Sequence, residues 1–146
     1  MLNELFPEAK IQLCVFHQKA IIRRKITRNP KTECGVEIKN LMAEMLVLSE
    51  QEFSDKLLLI KDKYKDFLQE RNENNEFKHP KLRSAIRSLN VNLPYLFTYK
   101  KSSFKNIQNT TNSCDGSFAH WKAKVKIHRG LKKHRRTKMI NYLLAK

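Results

Sequence analysis

The sequence has little of the residue types that mark disordered, disulfide-rich or membrane-spanning chains. Only 3 glycines, 4 prolines and 3 cysteines occur among 146 residues, of which 40% are hydrophobic, so disorder is not expected. The odd set Cys14, Cys34 and Cys114 is too small for a disulfide framework and favours a reducing compartment. No apolar run approaches the roughly 20 residues that cross a bilayer, and no secretory signal is recognisable. We therefore expect a cytoplasmic protein with no membrane partner.

Carboxylates are almost missing from the second half of the chain. Residues 77–146 contain 17 lysines and arginines but one acid, Asp115, whereas residues 1–76 contain 13 charges of each sign. The whole formal net charge of +16 therefore lies in the second half. Such a segment repels itself unless a polyanion neutralises it, which predicts nucleic acid as the partner.

Hydrophobic patterning predicts a mainly helical chain with one strand. Residues 11–16 read IQLCVF, which is typical of a fully buried strand in a parallel sheet. The clearest helix begins after Ser49, which can form a capping box with Glu52. Its apolar face comprises Phe53, Leu57, Ile60, Tyr64 and Phe67. Further helices are expected at about 17–27, 36–48, 80–89, 113–129 and 132–144, with an irregular segment over 90–108.

The lone strand leaves two interpretations open. A single strand cannot satisfy its own backbone hydrogen bonds, and a stable sheet needs roughly three strands or more. Either the strand prediction is wrong, or the sheet to which it belongs is missing from this chain.

Asp115, the one acid of the basic half, also has two interpretations. It follows a run of capping residues at 110–113, and an acid in the first turn of a helix stabilises the helix dipole. Alternatively, a carboxylate among phosphate-binding cations holds Mg²⁺ between protein and nucleic acid. A two-metal site needs several carboxylates, so partners for Asp115 would have to come from elsewhere.

Cys14 and His17 form a C-x-x-H pair directly after the predicted strand. As a metal site this is half a zinc motif, which Cys34 or His79 would have to complete. The alternative is a buried thiol beside a histidine that packs or forms hydrogen bonds.

The densest basic run extends from His128 to Lys138. It can contact phosphates, form a solvated helix face, or resemble a nuclear-localisation patch. Upstream of it, the aromatic residues Tyr95, Phe97 and Tyr99 can either stack on unpaired bases or belong to the core.

The segments IQLCVFH (11–17) and NTTNSCDGSFAHWKAKVKIHRGL (109–131) together resemble the C-terminal part of bacterial insertion-sequence transposases of the Mutator-like group. These are DDE enzymes with an RNase H-like core. The matching motif residues are Cys14, His17, Asn112, Gly116, His128 and Gly130. The resemblance implies a mainly α fold: the C-terminal fragment of an α/β RNase H-like core, with one buried strand and a helical insertion. Residues 1–29 would be the core remnant, 30–93 the insertion, and 94–146 a linker with basic helices that close the core.

The resemblance also assigns Asp115 as a catalytic metal ligand, at a position where the family carries Glu. In the parent enzyme two Mg²⁺ ions would serve DNA cleavage and strand transfer, and the other two catalytic aspartates belong upstream of Met1. With one acid of three, we expect a truncated transposase that is inactive by itself.

The implied partners are transposon-end and target DNA, at the bacterial nucleoid, together with an upstream half of the transposase; homo-oligomerisation stays open. Contacts to DNA phosphates are assigned to Lys122, Lys124, Lys126, Arg129, Lys132, Lys133, Arg135 and Arg136. The alternative is a non-catalytic helical nucleic-acid-binding module, in which Asp115 only stabilises a helix end.

Overall fold

The computed structural model describes residues 7–101, 107–127 and 130–145. Within them the chain is mainly helical, as predicted, and no helix is long and apolar enough to span a bilayer. The helices are α1 (Val15–Ile26), α2 (Glu33–Glu44), α3 (Glu50–Lys63), α4 (Lys65–Gln69), α5 (Pro80–Leu96), α6 (Asn112–Ile127) and α7 (Lys133–Leu144), with a 3-10 turn at Thr98–Lys100. The chain divides into two compact units, the first ending at Thr110 and the second beginning at Thr111.

The predicted strand at residues 11–16 is wrong. Residues 11–14 have no regular secondary structure, and Val15 already begins α1. The Leu13 N–H donates to the Tyr95 carbonyl at 2.8 Å, and the Val15 N–H donates to the Asn109 carbonyl at 2.9 Å. These bonds satisfy the backbone at the end of α5 and in the segment before α6, so no neighbouring strand is required.

The same segment decides between the two interpretations of the lone strand. The only β-type pairing among the described residues is an isolated antiparallel bridge between Arg71 and Phe77. The apolar run at 11–16 is therefore an irregular segment (11–14) followed by the first residues of α1. An RNase H-like core, and the division at residues 29 and 93, stay predictions.

Helix α3 confirms the strongest local prediction as far as Lys63; the helix is interrupted at Tyr64, and Phe67 lies on the separate helix α4. The Ser49 hydroxyl accepts the Glu52 N–H at 3.2 Å, and the Glu52 carboxylate accepts the Ser49 N–H at 2.7 Å, which completes the capping box. Phe53 and Leu57 are buried on the predicted face, and the Phe53 ring lies 5.5 Å from that of Phe97. The capped helix thus turns its apolar stripe into the core of the first unit.

Helix α5 is longer than predicted, because it continues through Pro94 to Leu96. The expectation of an irregular segment at 90–108 is therefore wrong for residues 90–96. A proline in the last turn removes one backbone bond, while Leu96 and Phe97 become fully buried. Of the three aromatic residues in this region, Phe97 belongs to the core and Tyr99 packs against it, whereas Tyr95 is exposed.

A buried amide joins α1 to α5. Gln18 is 3% exposed, its Nε2 donates to the Ser88 hydroxyl at 3.2 Å, and its Oε1 accepts from Asn92 at 2.9 Å. Farther along α1, the Lys25 ammonium donates to the Ser84 hydroxyl at 2.5 Å. These hydrogen bonds hold α1 against α5 in addition to the apolar packing. Because buried polar groups need hydrogen-bond partners, the two helices are favoured in the position that aligns these donors and acceptors.

Candidate nucleic-acid interface

The second unit begins with α6 at Asn112. The Thr111 carbonyl accepts the Asp115 N–H at 2.8 Å, and the Thr111 hydroxyl donates to the Asp115 carboxylate at 3.0 Å. Asp115 lies in the first turn, where a negative charge interacts favourably with the unpaired N–H groups of the helix end. Its carboxylate therefore stabilises the start of the helix, as the simpler interpretation expects.

As a metal site, the surroundings of Asp115 do not fit Mg²⁺. The ion prefers about six oxygen ligands, with charge supplied by carboxylates, and the second unit offers Asp115 as its one acid. Among the described residues no three His, Cys, Asp or Glu side chains cluster as metal ligands. No catalytic step through a metal can be derived from the residues of this unit.

Helices α6 and α7 enclose a groove of about 460 Å³. Its apolar wall is formed by Phe118, Trp121, Val125 and Ile140. The Phe118 and Trp121 rings meet edge to face, with centroids 5.4 Å apart. The apolar stripe of α6 therefore lines an accessible groove, and Phe118 is 52% exposed.

Three of the predicted DNA-contacting cations meet at this groove. Lys122 and Lys126 on α6 and Arg136 on α7 line it together with the aromatic wall. All three are exposed, and no ion pair engages them among the described residues. The arrangement offers positive charge for phosphates beside aromatic faces on which bases can stack.

The other predicted cations within the described residues do not line the groove. Lys132 is the N-cap of α7, Lys133 and Arg135 lie in its first turn, and all three are exposed. The first turn of α7 contains no acid, so these charges face the positive end of the helix dipole and oppose it. Lys124 lies on α6 and is half-buried. A bound polyanion would relieve the repulsion at the start of α7.

The remaining motif residues of the second unit carry less structural information. His128 and Arg129 lie outside the described residues, and so does the side chain of Asn112. Gly116 and Gly130 are exposed, and a β-carbon at either position would meet no atom within 4 Å. Neither glycine is therefore required by a close contact in the described structure.

The C-x-x-H pair forms no metal site with the residues proposed to complete it. Cys14 is half-buried before α1, His17 is exposed on α1, and Cys34 is fully buried in α2. His79 stacks on the Phe67 ring at 3.8 Å. Since no three potential ligands cluster in the described parts of the chain, nothing in the structure supports the zinc interpretation.

A second basic stretch was missed when charge was summed over residues 1–76. Residues 9–32 contain seven lysines and arginines and no acid, and the neutral total conceals them. Most of these cations lie on α1 and in the turn after it. A charge count in a short sliding window would have located them from the sequence alone.

No family model, curated protein or solved structure matches the chain significantly. The resemblance to Mutator-like transposases thus has no support from these comparisons. The residue roles that depend on it remain predictions.

Proposed function

We propose that the second unit binds nucleic acid by its phosphate backbone, with duplex DNA as the principal ligand. The observation that carries this proposal is the charge of its described residues, eight lysines and arginines against the single acid Asp115. Seven of the eight side chains are exposed. Proteins that neutralise phosphates with such cations gain affinity by releasing counterions from DNA.

The position of the cations supports the proposal further. Four of them, Lys132, Lys133, Arg135 and Arg136, surround the start of α7, where each destabilises the helix in the absence of an anion. A phosphate at this position interacts favourably with both the side chains and the N–H groups of the first turn. Binding should therefore stabilise α7.

The test is a titration of the full chain with a blunt DNA duplex at several salt concentrations. If all eight cations contact phosphates, the logarithm of affinity falls with the logarithm of salt with a slope of about −7. Trp121, the only tryptophan of the chain, lines the α6–α7 groove, so its fluorescence reports binding. The triple variant K122Q/K126Q/R136Q should reduce the slope by about 3.

A matched control removes the same charge elsewhere. Lys56, Lys63 and Lys78 each pair with a glutamate of the first unit, so K56Q/K63Q/K78Q changes net charge equally without touching α6 or α7. We expect this variant to keep nearly the full slope. Equal losses in both triple variants, or affinity independent of salt between about 50 and 200 mM, would contradict the proposal.

A narrower proposal is that the chain derives from the C-terminal part of a DDE transposase and acts at the bacterial nucleoid. It depends on the motif resemblance, and Asp115 in the first turn of α6 is compatible with the acidic position of that motif. Mg²⁺ would then be held jointly by Asp115 and by two carboxylates from a separate upstream polypeptide. By itself, the chain is proposed to bind DNA without cutting it.

The experiment for the narrower proposal is a Mg²⁺-dependent nicking assay on supercoiled DNA. We expect no cleavage by the chain alone, and equal or higher DNA affinity for D115N because one negative charge is lost. Cleavage that D115N abolishes would show that the chain is an active nuclease. A non-catalytic binding module predicts in addition that Mg²⁺ has no specific effect on affinity beyond that of ionic strength.

A further inference from the structure

Helices α1 and α2 and the turn between them enclose a groove of about 440 Å³ in the first unit. Its floor is apolar and includes Ile22, Ile26 and Met42, which are all buried. Phe16 also lines the groove and is 57% exposed. This volume falls within the range of about 300–1,000 Å³ that is usual for ligand pockets.

The charged residues of this groove are all cations. They are Lys19, Arg23, Arg28 and Lys39, and no acid lines the groove. None of the four forms an ion pair among the described residues. Burial against the apolar floor lowers the pKa of Lys19, because no nearby carboxylate compensates for the water that the ammonium loses.

Two of the three carboxylates of α2 are engaged elsewhere, and the third, Glu33, does not line the groove. Glu37 accepts hydrogen bonds from Lys63 and Tyr64, and Glu44 accepts one from Lys56. Both glutamates therefore pair with residues at or next to α3, and neither lines the groove. The residues that line the groove are therefore cationic, although residues 1–76 are neutral in total.

The turn that closes the groove is strained. Thr27, which lines it, has φ 69° and ψ 173°, a combination almost restricted to glycine. A β-branched residue there costs roughly 1–3 kcal/mol. This conformation brings Arg28 and Asn29 to the same groove, and strain of this kind is common where a ligand is bound.

We propose that the α1–α2 groove binds an unpaired segment of nucleic acid, with a base stacked on Phe16 and phosphates bound by the surrounding cations. An aromatic face beside a row of cations is the usual combination for single strands, since every base has a stacking face. The cations of the groove favour a polyanion as the ligand, and the exposed Phe16 favours a polyanion that carries planar groups. This site is formed by residues of the first unit alone, and the proposal does not require the α6–α7 surface to bind duplex DNA.

The experiment measures binding of the full chain to a fluorescein-labelled oligothymidylate about 12 nucleotides long, by fluorescence anisotropy. F16L should lower affinity by about fivefold or more, as expected for the loss of one stacked base. R23Q should reduce the salt slope by about 0.7, the value for one phosphate contact of a single strand. Circular dichroism should show that both variants stay folded.

Arg24 provides a matched control. It lies next to Arg23 on α1 and has the same charge, but it does not line the groove; its Nε donates to the Ala20 carbonyl. R24Q should bind the oligonucleotide like the unmodified chain. Equal effects of R23Q and R24Q, or full affinity of F16L, would overturn the proposal and leave only a nonspecific basic helix.

Two further comparisons separate the alternatives. If K122Q/K126Q/R136Q weakens duplex binding and F16L leaves oligonucleotide binding unchanged, the groove proposal is refuted and the function proposed for the second unit stands. If F16L weakens oligonucleotide binding and the triple variant leaves duplex binding unchanged, the groove proposal stands and the function proposed for the second unit is refuted. Phosphatidylglycerol vesicles test the other anionic ligand that suits an apolar floor. Vesicle binding that R23Q removes, with oligonucleotide binding unchanged, would show that the groove is a lipid site and overturn the proposal.

Discussion

Replacing Gln18 by methionine tests whether the buried amide bridge holds α1, and with it the α1–α2 groove, against α5. Methionine has a similar length and can fill the same space, so Q18M removes polar contacts without opening a large cavity. It deletes the bonds to Ser88 and Asn92. Each intramolecular hydrogen bond contributes about 0.5–1.5 kcal/mol, which gives an expected loss of about 1–3 kcal/mol.

The assay is urea unfolding followed by circular dichroism at 222 nm. Because Ser88 and Asn92 are only half-buried, water can partly replace the lost bonds, and we expect the lower part of the range. For a unit of roughly 100 residues, each kcal/mol lowers the melting temperature by about 4–8 °C. Q18M combined with N92L should recover part of the loss, because no unpaired amide is then left against the apolar side chain.

Gln51 supplies the control for this prediction. It also donates a hydrogen bond, to Asp55 at 2.8 Å, but it is exposed on α3. Q51M should therefore change stability by less than about 0.5 kcal/mol. If Q18M were as harmless as Q51M, or more stable than the unmodified chain, apolar packing alone would hold α1 to α5 and the reasoning would be refuted.

Three further predictions concern capping and titration. S49A removes the side-chain cap of α3 and should cost about 1 kcal/mol, measured as a lower urea midpoint. Burial first, and then the charge of Glu37, raise the pKa of the Cys34 thiol to about 11 from an ordinary 9.0. As the pH rises, the thiol loses its proton in the unfolded state before it does so in the folded state. The free energy of unfolding should therefore fall between about pH 9 and 11, and this fall should be smaller in C34A. A hydrogen bond from Lys63 lowers the pKa of Glu37. The ionised Glu37 carboxylate therefore contributes to the free energy of unfolding at neutral pH, and this contribution is lost in acid. E37Q should accordingly narrow the difference between the urea midpoints at about pH 7 and pH 3.

The sequence predicted best what is decided within a few residues. The capping box at Ser49 and the buried face of α3 formed by Phe53, Leu57 and Ile60 depend on neighbours one or two turns away, and both were confirmed. The strand at 11–16 failed because its backbone partners, the carbonyls of Tyr95 and Asn109, lie far along the chain. The irregular segment predicted around Pro94 failed for a similar reason. Burial of Leu96 and Phe97 outweighs the local preference against proline in a helix.

For the candidate site, composition indicated the cations but not their arrangement. The basic residues of α6 and α7 were named from the sequence, whereas the meeting of Lys122, Lys126 and Arg136 around one aromatic wall depends on how the two helices pack. Asp115 was placed correctly in a first helical turn. Its proposed role as a metal ligand requires further carboxylates, and Asp115 is the one acid of residues 77–146.

The neutral sum of the first 76 residues shows why net charge is a poor guide to binding surfaces. Four lysines of the first unit pair with glutamates: Lys56, Lys63, Lys78 and Lys101. The charge of each of these glutamates is offset by its lysine partner, and at about 0.1 M salt a charge acts over only about 10 Å. A ligand in the α1–α2 groove meets four cations and no acid among the residues that line it. The relevant quantity is the charge of the residues that line each groove, and by that measure both grooves are cationic, with an aromatic residue beside the cations.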